Sequence, residues 1–102
     1  MNNCVMLIGR LTSTPEVQNS IDKKSYCFIN VAVNRSYKND EGVYETDFIP
    51  VRLEGTIATN TAEYCKQGDL VGVKGMLRQT IDGRLQVYGE KITFLASKDI
   101  NK

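Results

Sequence analysis

The chain has 102 residues, 41% hydrophobic and 25% charged, with 13 Lys and Arg against 12 Asp and Glu. That length holds one domain and one core, here residues 1–102, and the composition is that of a folded protein rather than a disordered one. A formal net charge of +1 excludes a histone-like polycation, but a basic groove can still be assembled by folding. No run approaches the roughly 18 apolar residues of a membrane helix, so no membrane contact is expected. The start Met1-Asn2-Asn3-Cys4-Val5 lacks the basic region and small-residue cleavage site of a signal peptide, which points to the cytoplasm.

The first apolar, β-prone stretch is Cys4 to Ile8, ended by Gly9, and Thr12-Ser13-Thr14-Pro15 reads as a loop. Tyr26 to Asn34 is the strongest strand, rich in β-branched and aromatic residues. Alternation sets Cys27, Ile29, Val31 and Val33 on one face, and Tyr26, Phe28, Asn30, Ala32 and Asn34 on the other. After a turn at Asn39-Asp40-Glu41-Gly42, a third strand runs from about Glu45 to Glu54. Ile49, Val51 and Leu53 face one way, and Phe48, Pro50, Arg52 and Glu54 the other. Pro50 has no N–H and marks an edge, bulge or bend.

Past Gly55 the texture changes. Ile57, Thr61, Tyr64 and Cys65 fall near helical spacing, with Gly68 as the expected cap of a short helix ending at about Gln67. Leu70 to Arg78 is a strand interrupted by Gly72 and Gly75, Asp82-Gly83 is a hairpin turn, and Arg84 to about Leu95 is the last strand. Five antiparallel strands with one short helix between the third and fourth define the all-β OB-fold barrel.

Missing side chains narrow the chemistry. There is no His, which removes Ser-His and Cys-His pairs, the commonest general base and most catalytic zinc sites. Phosphate-loop, dinucleotide and zinc-protease motifs are absent, so neither a cofactor nor a catalytic centre is expected. Cys4, Cys27 and Cys65 are odd in number and form no C-x-x-C, and read as buried structural thiols.

Four blocks then stand in a telling order: Val5-Met6-Leu7-Ile8-Gly9-Arg10-Leu11 with Pro15-Glu16; Val31-Ala32-Val33-Asn34-Arg35-Ser36-Tyr37; Thr46-Asp47-Phe48-Ile49-Pro50-Val51; and Ala62-Glu63-Tyr64-Cys65-Lys66-Gln67-Gly68-Asp69 leading to Val73-Lys74-Gly75-Met76-Leu77. From about Asn3 to Leu95 the chain resembles the bacterial and phage single-stranded DNA-binding proteins. The resemblance implies non-catalytic, largely sequence-independent binding of single strands in replication, recombination or repair, by stacking bases on aromatic rings and neutralising phosphates. It also implies a homotetramer, or at least a dimer, joined through the first strand and the barrel's outer sheet.

Carried over by position, Tyr37 and Phe48 are the implied stacking platforms. Arg35, Lys38 and Arg52 lie beside them within reach of phosphates, Tyr44 faces Tyr37 across the turn, and Phe28 shares the polar face of its strand. Tyr88, Lys74 and Arg78 complete the set, the last two pointing outward opposite Val71, Val73 and Leu77. Tyr64 and Phe94 are expected in the core; Lys23, Lys24, Lys98 and Lys102 in solvent.

The chain departs from the family in three places. Glu54 stands where an aromatic is common, and its carboxylate repels phosphate; the hairpin Gln79-Thr80-Ile81-Asp82-Gly83 is short and carries no ring; and the sequence ends at Asn101-Lys102 with no acidic tip to recruit other enzymes. The alternative reading is a tailless primosome-type accessory protein that mainly grips a helicase or loader.

Overall fold

The computed structural model describes residues 1–98, so Lys102 and the chain end lie outside it. It contains β1 (Val5–Leu11), β2 (Gln18–Asn19), β3 (Ser25–Lys38), β4 (Tyr44–Glu54), α1 (Thr56–Tyr64), β5 (Leu70–Gln79) and β6 (Leu85–Ala96). The strand order is β1-β5-β6-β4-β3-β2, and β1 also pairs with β3, which closes the sheet into a barrel. All pairings are antiparallel except β4 with β6, which run parallel where Val51 faces Val87 and Arg52 faces Tyr88. The five long strands, with a helix between the third and fourth of them, are the expected OB-fold. The two-residue β2, which braces Ser25 and Tyr26 at the start of β3, carries no strand signal in the sequence.

Alternation builds the core. Cys27, Ile29 and Val31 of β3 point inward, meeting Val51 and Leu53 of β4, Val71 and Val73 of β5, Leu11 and Val87. The opposite faces of β3 and β4 stay outside, where Phe28 and Phe48 are exposed.

Two glycines set the barrel's shape by having no side chain. At Arg10, β1 is paired on one side with Leu70 and on the other with Ala32. A Cβ on the neighbouring Gly9 would lie 2.2 Å from the Ala32 carbonyl oxygen. In β5, Lys74 faces Lys91 but Gly75 faces Gly89, so Glu90 is an extra residue in β6. A Cβ on Gly75 would lie 2.1 Å from the Tyr88 carbonyl oxygen.

Several expectations need correction. The helix stops at Tyr64, and Cys65 is already extended. Gly68, at a φ of 91°, serves the turn into β5 rather than a helix cap; its N–H donates to the Leu11 carbonyl, 2.8 Å away. Tyr64 is not core but 70% exposed, because the helix buries Ala58 and Thr61, followed by Cys65, and leaves Tyr64 at the rim of that stripe. Phe94 faces the buried Val71, yet it adjoins a second register shift in the ladder and remains half exposed. Leu77 is 40% exposed, lying beyond the shift at Gly75 that alternation could not register. Cys4 precedes the first strand and is exposed, whereas Cys27 and Cys65 are buried as expected.

Burial pushes the Cys27 and Cys65 thiols above the ordinary cysteine value, so both are slow to ionise as well as shielded. A thiol reagent at pH 8 should therefore label Cys4 alone in the folded protein, and all three after denaturation. Mass spectrometry showing two fast-reacting thiols in the folded state would contradict this packing.

Candidate nucleic-acid interface

The outward face of β3 and β4 is a continuous strip. Tyr26 stands opposite Glu54, Phe28 opposite Arg52, Asn30 opposite Pro50, and Ala32 opposite Phe48. Tyr26 and Phe28 meet edge to face, with centroids 6.3 Å apart. The Arg52 guanidinium lies over both rings, 4.5 Å from the Tyr26 centroid and 5.4 Å from that of Phe28. The Tyr26 hydroxyl donates to the Gln18 side chain at 3.1 Å, so β2 fixes the ring at the end of the strip. Across the parallel contact, Tyr88 of β6 sits opposite Arg52 on one side and Met76 on the other, and the Arg78 guanidinium covers it at 4.4 Å.

Tyr26 was missed as a candidate by sequence reasoning. The signal was present, since alternation already put it beside Phe28, but a tyrosine at a strand start is more often a packing residue. Phe48 is 62% exposed, so it is a surface ring and not part of the core.

A second group sits on the arm formed by the outer ends of β3 and β4. The ladder shifts between Asn34 and Lys38, where three β3 residues face the single Glu45 of β4. Tyr37 lies in this bulged segment and is 66% exposed. Lys38 pairs with Tyr44 in register, and its ammonium lies 5.7 Å from the Tyr44 ring centroid. The loop is stiffened by Asn39, whose side-chain oxygen accepts from the N–H groups of Glu41 and Val43 at 2.9 and 3.0 Å.

The arginines are not bare cations. Arg35 donates through Nε and Nη2 to the two carboxylate oxygens of Asp47, at 3.1 and 2.9 Å, and through Nη1 to Glu45 at 2.6 Å. The fork-on-fork geometry holds the Asp47 carboxyl below the usual carboxylate range, chiefly through those hydrogen bonds, and raises the Arg35 guanidinium well above its ordinary value. Arg52 donates through Nε to Glu54 at 2.7 Å. Lys38 has no such carboxylate at its ammonium among the described ion pairs.

Lys74 belongs elsewhere. It lies between Met6 and Lys91 on the outer face of β1, β5 and β6, where Ile8 and Leu95 line the same apolar hollow. The structure thus groups Phe28, Arg52, Tyr88 and Arg78 on one face, with Phe48 further along it. It groups Arg35, Tyr37, Lys38 and Tyr44 on the arm, and separates Lys74 from both.

Comparison with known proteins agrees with this architecture. The model of the single-strand binding protein family matches residues 2–93. Single-stranded DNA-binding protein 1 of Clostridium acetobutylicum is 41% identical over 105 residues, covering 94% of this chain and 96% of the relative. Single-stranded DNA-binding protein B of Bacillus subtilis is 42% identical over 78 residues, covering 76% of this chain and 69% of that protein. The wild-type single-stranded DNA-binding protein of Thermus aquaticus superposes with a TM-score of 0.81 at 26% identity, over 95% of this chain and 52% of that one. The chain therefore belongs to the single-strand binding protein family.

The Arg35 clamp makes a measurable claim. Replacing Asp47 with Asn removes the charged bidentate acceptor and leaves the guanidinium held by Glu45 alone. Asp47→Asn should raise affinity for a short oligo-dT about two- to fivefold at low salt, an effect that fades as salt rises. Weaker binding by a well-folded Asp47→Asn protein would show that the clamp positions the arm rather than withholding the cation.

Proposed function

We propose that the protein binds single-stranded DNA without catalysing a reaction and with little dependence on sequence, serving DNA replication, recombination or repair in a bacterial cytoplasm. The observation that carries this reading is the strip of rings on one barrel face, Phe28 and Phe48 exposed and Tyr26 and Tyr88 half-buried, interleaved with guanidinium groups, in a member of this family. Exposed rings cost solvation in the free protein and serve as platforms on which any base can stack. Tyr37 and Phe48 are the principal platforms, Phe28, Tyr44 and Tyr88 the supporting ones. Lys38 meets phosphates, Arg52 and Arg78 reach those that flank the stacked bases rather than any inside the hollow between them, and Arg35 does so when its carboxylates yield.

Oligo-dT of increasing length, followed by tyrosine fluorescence at two salt concentrations, tests the reading. Quenching should deepen with length until the site is filled, and affinity should fall as salt rises because bound phosphates release counterions. Tyr37→Ala and Phe48→Ala should each weaken binding by about 1–3 kcal/mol, the worth of one stacked base, with little loss of folding stability. Unchanged affinity per folded molecule in Phe48→Ala would remove it from the site.

The outer face of β1, β5 and β6 supports self-association into a dimer or homotetramer. Met6 is 76% and Ile8 63% exposed, side by side with Leu95 around a hollow of about 390 Å³. Apolar exposure of this kind on a strand pair is typical of a subunit contact. Sedimentation of the native protein should show a dimer or tetramer, and Ile8→Glu should shift it toward monomer; a native protein that sediments as a monomer at high concentration rules the contact out.

A further inference from the structure

The Arg52–Glu54 pair forms a ridge between two hollows, and both residues line each of them. The hollow on the β6 side, of about 330 Å³, has room for one nucleobase. Its walls are unlike a phosphate site. Ile57 and Met76 supply apolar surface, and Tyr88 with its covering Arg78 supplies a flat stack. The two guanidinium groups are matched by two carboxylates, Glu54 and Glu90, so the hollow carries no excess positive charge to hold a phosphate. Carboxylates only accept hydrogen bonds, and they select for ligand edges that donate.

Glu54 is well placed to do so. Arg52 Nε engages Oε2, at 2.7 Å, and Oε1 has no partner among the described hydrogen bonds. Each carboxylate oxygen has two lone pairs, so the group retains capacity for three further donors, more than the two a base edge needs. Guanine offers N1–H and its exocyclic amine side by side, a spacing that matches the two oxygens of one carboxylate. Adenine and cytosine offer one amine, and thymine presents carbonyl oxygens on both sides of its single N–H.

We propose that this hollow is a base-reading subsite, in which a guanine stacks on the Tyr88–Arg78 pair and donates its N1–H and amine to Glu54. The inference rests on the single-stranded DNA reading and adds a bias to it: one position along the bound strand favours guanine and disfavours thymine, while the ring platforms elsewhere accept any base. Glu54 then exchanges a ring's stacking for recognition of a base edge.

The test compares 35-nucleotide strands of dT alone with repeats of d(TTG), d(TTA) and d(TTC), in lithium buffer so that guanine tetrads do not form. The wild-type protein should bind d(TTG) about tenfold more tightly than dT, as expected for one good bidentate contact, with d(TTA) and d(TTC) between them. Glu54→Leu and Glu54→Gln should bind dT more tightly than wild type and bring the d(TTG) to dT ratio close to one. The Glu54 side chain is about half exposed, so both variants should fold. Tight binding of all four strands with equal affinity by the wild type overturns the subsite and leaves the DNA-binding reading intact, as does a d(TTG) preference that survives in Glu54→Leu. Failure to bind any strand defeats both.

Discussion

The barrel hinges on a close approach of backbone to backbone at one residue. At Gly9 the first strand passes so near the Ala32 carbonyl that no side chain fits, and there β1 is leaving β5 and taking up β3. A strand shared between two neighbours is what converts a twisted sheet into a closed one and removes exposed edges. The core strands β3, β4 and β5 can then pack Val31, Val51 and Val71 against one another with no measurable exposure. Gly75 repeats the device on the far side, where the extra residue at Glu90 sharpens the coiling of β6. The aromatic strip exists because that closure turns the polar faces of β3 and β4 outward along one continuous surface.

Much of this could be read from the chain because alternation has a period of two and is local. The inward set Cys27, Ile29 and Val31 needed only the sequence of one strand. What could not be read depends on register. Leu77 keeps the alternation of its own strand yet lies past the shifted ladder, uncovered, whereas Phe94 follows the extra residue Glu90, which breaks the alternation counted from Val87, and stays half exposed beside a second shift. Tyr64 depends on where a short helix stops, which Cys65 decides by turning extended. β2 is defined by its partner alone, since two residues carry no periodicity.

The site shows the same division more sharply. Phe48 followed from strand alternation and resemblance together, but Tyr37 from resemblance alone, since the strand pattern ends at Asn34 while β3 runs on to Lys38. Pairing of charge did not, because Arg35 and Asp47 are twelve residues apart and meet only across the irregular ladder at the base of the arm. Cations that look free in sequence therefore differ in the structure: Arg35 is enclosed by two carboxylates, Arg52 by one, and Lys38 leans on a ring. Binding a phosphate at Arg35 means exchanging an internal partner for an external one. The net gain is then a small difference between two similar interactions, and is sensitive to salt and geometry.

Two loops at different edges of the barrel are built alike. Ser20-Ile21-Asp22-Lys23-Lys24 and Thr80-Ile81-Asp82-Gly83-Arg84 share a hydroxyl that donates to the Asp two residues on and accepts from the N–H four residues on, at 3.2 and 3.1 Å. In both, the fourth residue has positive φ, 66° at Lys23 and 88° at Gly83, and its N–H donates back to the first carbonyl. Every one of these bonds closes inside its own five residues. The loops are thus closed largely on themselves, the second with one further tie from the Gln79 side chain of β5 to the Gly83 carbonyl, 3.3 Å away. One can be transplanted onto the other's strands as a cassette, and the cost of holding a lysine where its twin has a glycine can be weighed within a single molecule.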